Sequence, residues 1–199
     1  YLDNNLENKI LKHILTRYQQ EKRKEGRKCS RFLDVGAGYG RFTETFSNFY
    51  DEIVLLEAAP QIFSRLQSLW QAHSEIKCIS DTFETFEDQK TYDLILVSGL
   101  LYLYDDELVR KFAEKSRSLL SGKGLLILRD FVAEPPRIVK SNYVKDGFCY
   151  YRSPDFWREA SKSWGFETLL ICRSKPKLTF LRNPRFLAVL SLFRLKSLL

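Results

Sequence analysis

Apolar residues recur along the chain in two spacings, which predict helices and strands in alternation. Between residues 3 and 20 they lie three and four positions apart, and this spacing predicts an amphipathic helix. Short continuous apolar runs predict five strands at 31–35, 52–57, 76–80, 92–99 and 124–130. Helical patterns separate the strands at 41–49, 60–72 and 105–120.

The order of these elements predicts the fold class. Strands that alternate with helices form a doubly wound α/β sheet, and continuous apolar runs are typical of parallel strands buried on both faces. A helix at 153–165 and two strands at 166–173 and 186–195 complete the pattern. We therefore predict a seven-stranded, mostly parallel sheet with a C-terminal antiparallel strand pair. Residues 131–152 show no clear period and are predicted to form a loop that faces the substrate.

Length and composition indicate one globular domain with a short N-terminal appendage. The chain has 199 residues, of which 44% are hydrophobic and 29% charged, as in ordinary folded proteins. We assign residues 1–28 to an N-terminal helix and basic linker, and 29–199 to the main domain. The chain contains no methionine.

Charge and cysteine content restrict the classes of partner. The four cysteines lie far apart without a CxxC pair, so we expect no metal site and a reducing, cytoplasmic location. The net charge of +7 is explained by solubility alone. Nucleic-acid binding through the basic stretch 22–31 is the alternative. The C-terminal segment 187–199 is interpreted as a last strand and tail, with attachment to an anionic membrane surface as the alternative.

A glycine-rich segment, DVGAGYG at 34–40, connects the first predicted strand to the next helix. Glycines permit a tight turn and close contact between a ligand and the main chain, so a nucleotide-like ligand is expected here. The dinucleotide pattern GxGxxG is absent because Arg41 occupies its third glycine position. Glu57 ends the second predicted strand, where a carboxylate can accept hydrogen bonds from both hydroxyls of a ribose.

Four segments together, DVGAGYGRF, LLEAAP, the Asp81 that precedes TFETF, and YDLILVSGLLYL, resemble class I S-adenosylmethionine-dependent methyltransferases over about residues 30–173. The resemblance implies a Rossmann-like methyltransferase fold and S-adenosyl-L-methionine as cofactor. It also implies a cofactor site at the strand ends, formed by Asp34, Gly36, Ala37, Gly38, Gly40, Arg41, Glu57, Ala58, Asp81, Thr82, Ser98 and Gly99.

The resemblance also implies what these residues do. Residues 36–38 would pass under the methionine part of the cofactor, and Arg41 would pair with its carboxylate. Glu57 would hold the ribose, and Asp81 would accept a hydrogen bond from the adenine amine. Ser98 and Gly99 would line the cofactor next to the methyl acceptor.

Within this fold, GAGYGRFTE, GLLILRD and YYRSPDFW resemble the protein α-N-terminal methyltransferases. The residues expected to contact the substrate differ from those of the α-N-terminal methyltransferases. Tyr102 stands in place of their catalytic histidine, and Asp130 is followed by Phe131 where they have asparagine. The segment 140–148, which corresponds to their acidic peptide pocket, contains two lysines and one acidic residue.

We therefore expect a methyltransferase that acts on nitrogen or oxygen of an unidentified acceptor, a small polar molecule or saccharide. Asp130 is expected to end the fifth strand at the ligand edge, and with Tyr102 it is the candidate catalytic residue; a structural helix cap is the alternative for Asp130. Three other functions stay open: a protein α-N-terminal amine methyltransferase, an RNA methyltransferase and a non-catalytic cofactor-binding subunit.

Overall fold

Helices and strands alternate along most of the chain. The computed structural model describes residues 4–26, 30–142, 146–174 and 187–195. The helices are α1 (Asn4–Lys24), α2 (Thr43–Ser47), α3 (Pro60–Trp70), α4 (Asp106–Leu119) and α5 (Pro154–Ser163), with a 3₁₀ helix at Leu101–Leu103. The strands are β1 (Arg31–Val35), β2 (Glu52–Leu56), β3 (Ile76–Ile79), β4 (Tyr92–Ser98), β5 (Leu120–Val132), β6 (Arg137–Lys140), β7 (Phe148–Tyr151), β8 (Phe166–Ser174) and β9 (Leu187–Leu195). Residues 27–29 of the basic linker and the tail 196–199 lie outside the described residues.

The main sheet has the strand order β3-β2-β1-β4-β5-β9-β8. Strands β1 to β5 are parallel, whereas β9 pairs antiparallel with both β5 and β8. Five strands of this sheet are therefore parallel, and the predicted C-terminal antiparallel strand pair lies beside them. The strand order reverses between β1 and β4. In doubly wound sheets, ligands bind beyond the carboxyl ends of the strands at such a reversal.

Side chains of the central strands alternate between two apolar layers, one on each face of the sheet. In β1, Leu33 and Val35 belong to the layer that contains residues of α4 and α5. Phe32 belongs to the opposite layer, which contains residues of α1, α2 and α3. This alternation confirms the doubly wound arrangement and explains why the strands carry continuous apolar runs.

Capping residues set where several helices begin. The Asp105 carboxylate accepts a hydrogen bond from the Leu108 backbone N–H at 2.8 Å at the start of α4. The Ser153 hydroxyl accepts one from the Phe156 backbone N–H at 3.1 Å at the start of α5. Pro60 occupies the first turn of α3, where its missing N–H has no cost. These helices therefore begin where the sequence predicted.

The prediction of a loop at 131–152 is wrong. Strand β5 continues to Val132 because β9 pairs with it along that length. Strands β6 and β7 then form a separate antiparallel hairpin. Each strand has only four residues; β6 is mostly exposed, and in β7 only Cys149 is buried. Such short runs carry too little periodicity to predict a strand.

The C-terminal half of α1 is anchored at the amino-terminal edge of the sheet. The Tyr18 hydroxyl lies 3.1 Å from the Asp93 carbonyl oxygen and 3.0 Å from that of Lys123. The Lys22 ammonium lies 3.9 Å from the Asp93 carboxylate. These contacts place the end of α1 at the sheet edge opposite the carboxyl ends of the strands. Among the described residues, no helix is both long and apolar enough to cross a membrane.

Phe32 provides a test of the core. Its ring is fully buried and stacks on Phe46 at 4.5 Å between centroids. Phe32→Ala should lower the free energy of unfolding by about 3–5 kcal/mol, measured by chemical denaturation. The matched control is Phe148→Ala, because Phe148 is 49% exposed; it should change the same quantity by less than about 1 kcal/mol. Equal losses would contradict the placement of Phe32.

Candidate active site

The glycine turn after β1 leaves open space above its main chain. Gly36, Gly38 and Gly40 have φ angles of +66°, +61° and +73°, which glycine adopts without strain. A side chain at Gly38 would meet no heavy atom within 4 Å, so the turn is open there. A side chain at Gly40 would instead lie 2.4 Å from the indole nitrogen of Trp70. Gly38 therefore has the open geometry of a ligand cradle, whereas packing accounts for Gly40.

Glu57 follows β2 and is tied to two backbone groups. Its Oε2 accepts a hydrogen bond from the Gly38 N–H at 2.9 Å, and its Oε1 accepts one from the Ala59 N–H at 2.8 Å. The side chain is largely buried, whereas the neighbouring Ala58 is exposed. A carboxylate oxygen has two lone pairs, so each oxygen can still accept one more hydrogen bond. Glu57 is thus a fixed acceptor beside the glycine turn.

Asp34 lies in β1, buried below the same turn. Burial raises the pKa of its carboxyl group to about 8, and the negative charge of Glu57 acts in the same direction. Its Oδ2 atom is buried and has no hydrogen-bond partner among the described residues. The proton therefore stays on Asp34 at neutral pH, beneath the turn that Glu57 holds.

The loop after β3 presents a third carboxylate. Asp81 Oδ1 accepts hydrogen bonds from the Thr82 backbone N–H at 2.8 Å and from the Thr85 hydroxyl group. The hydrogen bond from the Glu57 N–H to the Ile79 carbonyl oxygen, 3.1 Å, joins this loop to the end of β2. Asp81 and Thr82 are thus fixed at the same edge as the glycine turn, as the sequence predicted.

Ser98 and Gly99 end β4 beside β5. The Gly99 N–H donates to the Arg129 carbonyl oxygen at 2.8 Å, and the Arg129 guanidinium donates to the Ser98 hydroxyl at 3.4 Å. The turn at residues 101–104 follows directly and carries Tyr102. This turn brings Tyr102 to β5, where the second predicted catalytic residue lies.

The sequence predicted that Asp130 ends β5, and this prediction is wrong. The pairing with β9 continues to Val132. Its Oδ1 accepts a hydrogen bond from the Phe131 N–H at 2.8 Å. Its Oδ2 is buried without a partner among the described residues. Burial raises the pKa of Asp130 to about 7. Hydrogen bonds from the Phe131 and Tyr102 backbones and the charge of Arg152 oppose that increase.

Three aromatic rings form a corner, here called the aromatic corner, next to Asp130. The Tyr102 ring lies 5.1 Å from that of Phe131, edge to face, and 6.0 Å from that of Tyr151, stacked. Such ring faces attract cations. Tyr104 lies outside this corner, since its hydroxyl group bonds to Glu84. The sequence predicted Tyr151 only as a wall residue, and no pattern in 131–152 indicated its contact with Tyr102.

Arg41 is exposed, and its guanidinium lies over the Phe42 ring, 4.8 Å from the centroid. A role with the cofactor carboxylate therefore stays a prediction. Arg152, which the sequence analysis did not single out, is buried and contacts the 101–104 turn. It lies at the end of β7, in a segment whose strands were not predicted. No group of three potential metal ligands occurs in the part of the chain that the structure describes.

A model of the family "AdoMet dependent proline di-methyltransferase" matches residues 4–142. The chain belongs to this family. The resemblance to class I S-adenosylmethionine-dependent methyltransferases is confirmed, and S-adenosylmethionine is the cofactor of the family. The match includes the glycine turn, Glu57, Asp81 and Asp130, whereas Tyr151 and Arg152 lie beyond it.

One curated relative matches part of the chain. Nodulation protein S of Sinorhizobium fredii is 26% identical over 96 residues, which are 48% of this chain and 44% of that protein. The match thus spans less than half of that relative.

Two solved structures share the fold. The N-methyltransferase NodS of Bradyrhizobium japonicum, with S-adenosylhomocysteine, has 15% identity, a TM-score of 0.69 and coverage of 95% of this chain and 87% of its own. The 1,6-didemethyltoxoflavin-N1-methyltransferase of Burkholderia thailandensis has 15% identity, a TM-score of 0.72 and coverage of 92% and 78%. At these identities the likeness shows the fold alone.

Glu57 provides a test of the cofactor site. Glu57→Ala should weaken binding of S-adenosylhomocysteine by about tenfold to a hundredfold, because it removes a charged acceptor and releases the Gly38 turn. Isothermal titration calorimetry measures the loss. The control is Glu87→Ala, an exposed carboxylate in the loop after β3, which should bind normally. Wild-type affinity in Glu57→Ala would show that the cofactor does not use this carboxylate.

Proposed function

We propose that the protein is an S-adenosylmethionine-dependent N-methyltransferase whose acceptor is a small polar molecule or saccharide that carries an amine. The observation that carries this proposal is the buried, unpartnered Oδ2 of Asp130, within the described residues, beside the aromatic corner. A carboxyl group with a pKa of about 7 is suited to accept a proton at physiological pH. The adjacent ring faces are suited to an ammonium group.

The residues at the strand ends fit the cofactor. Open space above Gly38 leaves room for a ligand, and the fixed Glu57 carboxylate retains lone pairs for two hydroxyl groups. Asp81 offers its Oδ2 to an amine donor, because the hydrogen bonds from Thr82 and Thr85 use Oδ1. We assign ribose binding to Glu57, adenine binding to Asp81 and contact with the methionine part to the glycine turn.

When bound, S-adenosylmethionine supplies an electrophilic methyl group on a sulfonium sulfur. The protein contributes position and proton transfer. In our proposal the aromatic corner holds the acceptor as an ammonium, and Asp130 takes one proton from it. The nitrogen lone pair would then be free to form the new N–C bond as the methyl–sulfur bond breaks and a neutral thioether leaves. Tyr102 has a positioning role, because its backbone N–H bonds to Asp130 and its ring forms one wall.

A cavity of about 650 Å³ supports a small acceptor. It lies between the β6–β7 hairpin and the first turns of α4 and α5, and Tyr151 lines it. Cavities of this size accommodate metabolite-sized ligands. The structural relatives also favour nitrogen, since NodS is an N-methyltransferase and the Burkholderia enzyme is an N1-methyltransferase with 1,6-didemethyltoxoflavin bound.

The α-amine of a protein that begins with proline is the second candidate acceptor, because the family description names proline. Charge in the segment after β5 opposes it. Arg137, Lys140 and Lys145 outnumber Glu134 and Asp146 there, although residues 143–145 lie outside the described residues. A Pro-Lys N-terminus is a dication, and unpaired like charges reduce affinity.

Acceptor preference can be measured directly with radiolabelled S-adenosylmethionine. We expect label to enter small amines, with D-glucosamine and L-proline as first probes, at least about tenfold faster per mole than a Pro-Lys-starting hexapeptide. An oxygen-only probe, D-glucose, serves as the control for attack by a hydroxyl group. Faster labelling of the peptide, lost in Asp130→Asn, would make the protein α-amine the acceptor.

The pH dependence tests the role of Asp130. Only the ionised carboxylate accepts a proton, so kcat/KM should rise with pH and reach half of its plateau near pH 7, the pKa of Asp130. Asp130→Asn should lower kcat by about 100-fold or more. The exposed Asp155 provides the matched control, and Asp155→Asn should keep both rate and profile. An unchanged rate in Asp130→Asn would exclude this residue as the base.

A further inference from the structure

Arg152 makes four hydrogen bonds that join three elements. Its guanidinium donates to Asp106 Oδ1 at 2.9 and 2.7 Å, at the start of α4. It also donates to the carbonyl oxygen of Leu101 at 3.1 Å and to that of Tyr104 at 2.7 Å. These two acceptors are the first and last residues of the 101–104 turn. Arg152 thus clamps both ends of that turn from the end of β7.

The backbone of Arg152 is fixed as well. Its carbonyl oxygen accepts a hydrogen bond from the Ala133 N–H at 3.1 Å, just beyond β5. Its side chain is 5% exposed, and the guanidinium lies over the rings of Phe156 and Trp157 at 5.1 and 5.8 Å. A guanidinium enclosed in this way has one arrangement, because each N–H direction is set by its planar fork.

The clamped turn reaches Asp130 directly. Tyr102, in the middle of the turn, packs its ring against Phe131, whose N–H bonds to Asp130, and the Tyr102 backbone donor lowers the pKa of Asp130. The position of that donor depends on the two carbonyl groups that Arg152 holds. A charge buried in low dielectric also acts on a buried carboxyl group more strongly than a charge in water. Arg152 therefore acts on Asp130 through the turn and through its charge.

We propose that Arg152 is a positioning residue for Asp130. Arg152 fixes the 101–104 turn and keeps the Asp130 carboxylate ionised at the pH of catalysis. The inference rests on the proposed function only for the role of Asp130 as base. The other groups that act on this carboxyl are the Phe131 backbone N–H and the charge of Arg129 on its own strand. From the adjacent β9, only the backbone pairing at Val189 is described.

The test is a titration of Asp130 that needs no acceptor. Carbon-13 NMR of protein labelled at the aspartate γ-carbon follows each carboxyl group, and the resonance missing from Asp130→Asn identifies Asp130. In the wild type it should titrate near pH 7. In Arg152→Gln the midpoint should rise by about one pH unit, because the stabilising cation is removed. The control Arg158→Gln removes an exposed arginine that pairs with Asp155 and should leave the midpoint unchanged.

Arg152→Lys separates charge from geometry and remains informative if Arg152→Gln does not fold. Lysine keeps the charge but cannot hold both carbonyl groups of the turn. The midpoint of Asp130 should therefore stay within about half a pH unit of the wild type. Hydrogen exchange of the Tyr102 amide should become about tenfold faster than in Arg158→Gln.

Two results would overturn the proposal: a folded Arg152→Gln that titrates at the wild-type midpoint, or wild-type exchange of Tyr102 in Arg152→Lys. The activity of Asp130→Asn tests the proposed function separately. Full activity in Asp130→Asn would remove Asp130 as base, whereas the NMR result would still decide whether Arg152 controls its protonation. If Asp130 is the base and Arg152 controls its protonation, the pH at which kcat/KM is half-maximal should rise together with the NMR midpoint in Arg152→Gln.

Discussion

The carboxylate of Glu57 is the contact on which the cofactor half of the site depends. It holds the Gly38 N–H after β1 and the Ala59 N–H before α3, so one side chain fixes the chain after two neighbouring strands. Only a turn with left-handed glycines brings a backbone N–H into this position. The same negative charge helps to keep Asp34 protonated beneath the turn. Shape, charge and protonation at this edge therefore follow from one residue.

The acceptor half of the site depends on a second electrostatic arrangement. Asp130 is buried between β5 and the 101–104 turn, where burial alone favours its neutral form. Backbone donors and the arginines at 129 and 152 favour the anion. The balance leaves the pKa of the Asp130 carboxyl group at about 7, well above that of a surface aspartate. Arg152 connects this balance to the hairpin, so the β6–β7 segment supports the site without supplying its base.

The parallel sheet and the cofactor edge could be predicted from the sequence, because both follow from local patterns. Apolar runs gave β1 to β5, and the spacing of Glu57 and Asp81 after their strands put both at one edge. The hairpin could not be predicted in this way, since β6 and β7 have four residues each and exposed faces. The partners of Arg152 are residues 101, 104 and 106, which lie about fifty positions away and carry no sequence pattern. Contacts of that kind depend on the assembled fold.

Two buried carboxyl groups give the site a stability that depends on pH. The pKa of Asp34 rises to about 8 and that of Asp130 to about 7, from an ordinary value of 3.8. Because each pKa is higher in the folded chain, the folded state binds these protons more tightly. The resulting stabilisation is complete below the unfolded value and is lost as pH rises through about 7 and then about 8. Asp130 thus becomes a competent base at the pH at which this stabilisation has been lost, and the clamp at Arg152 limits the loss by stabilising the anion.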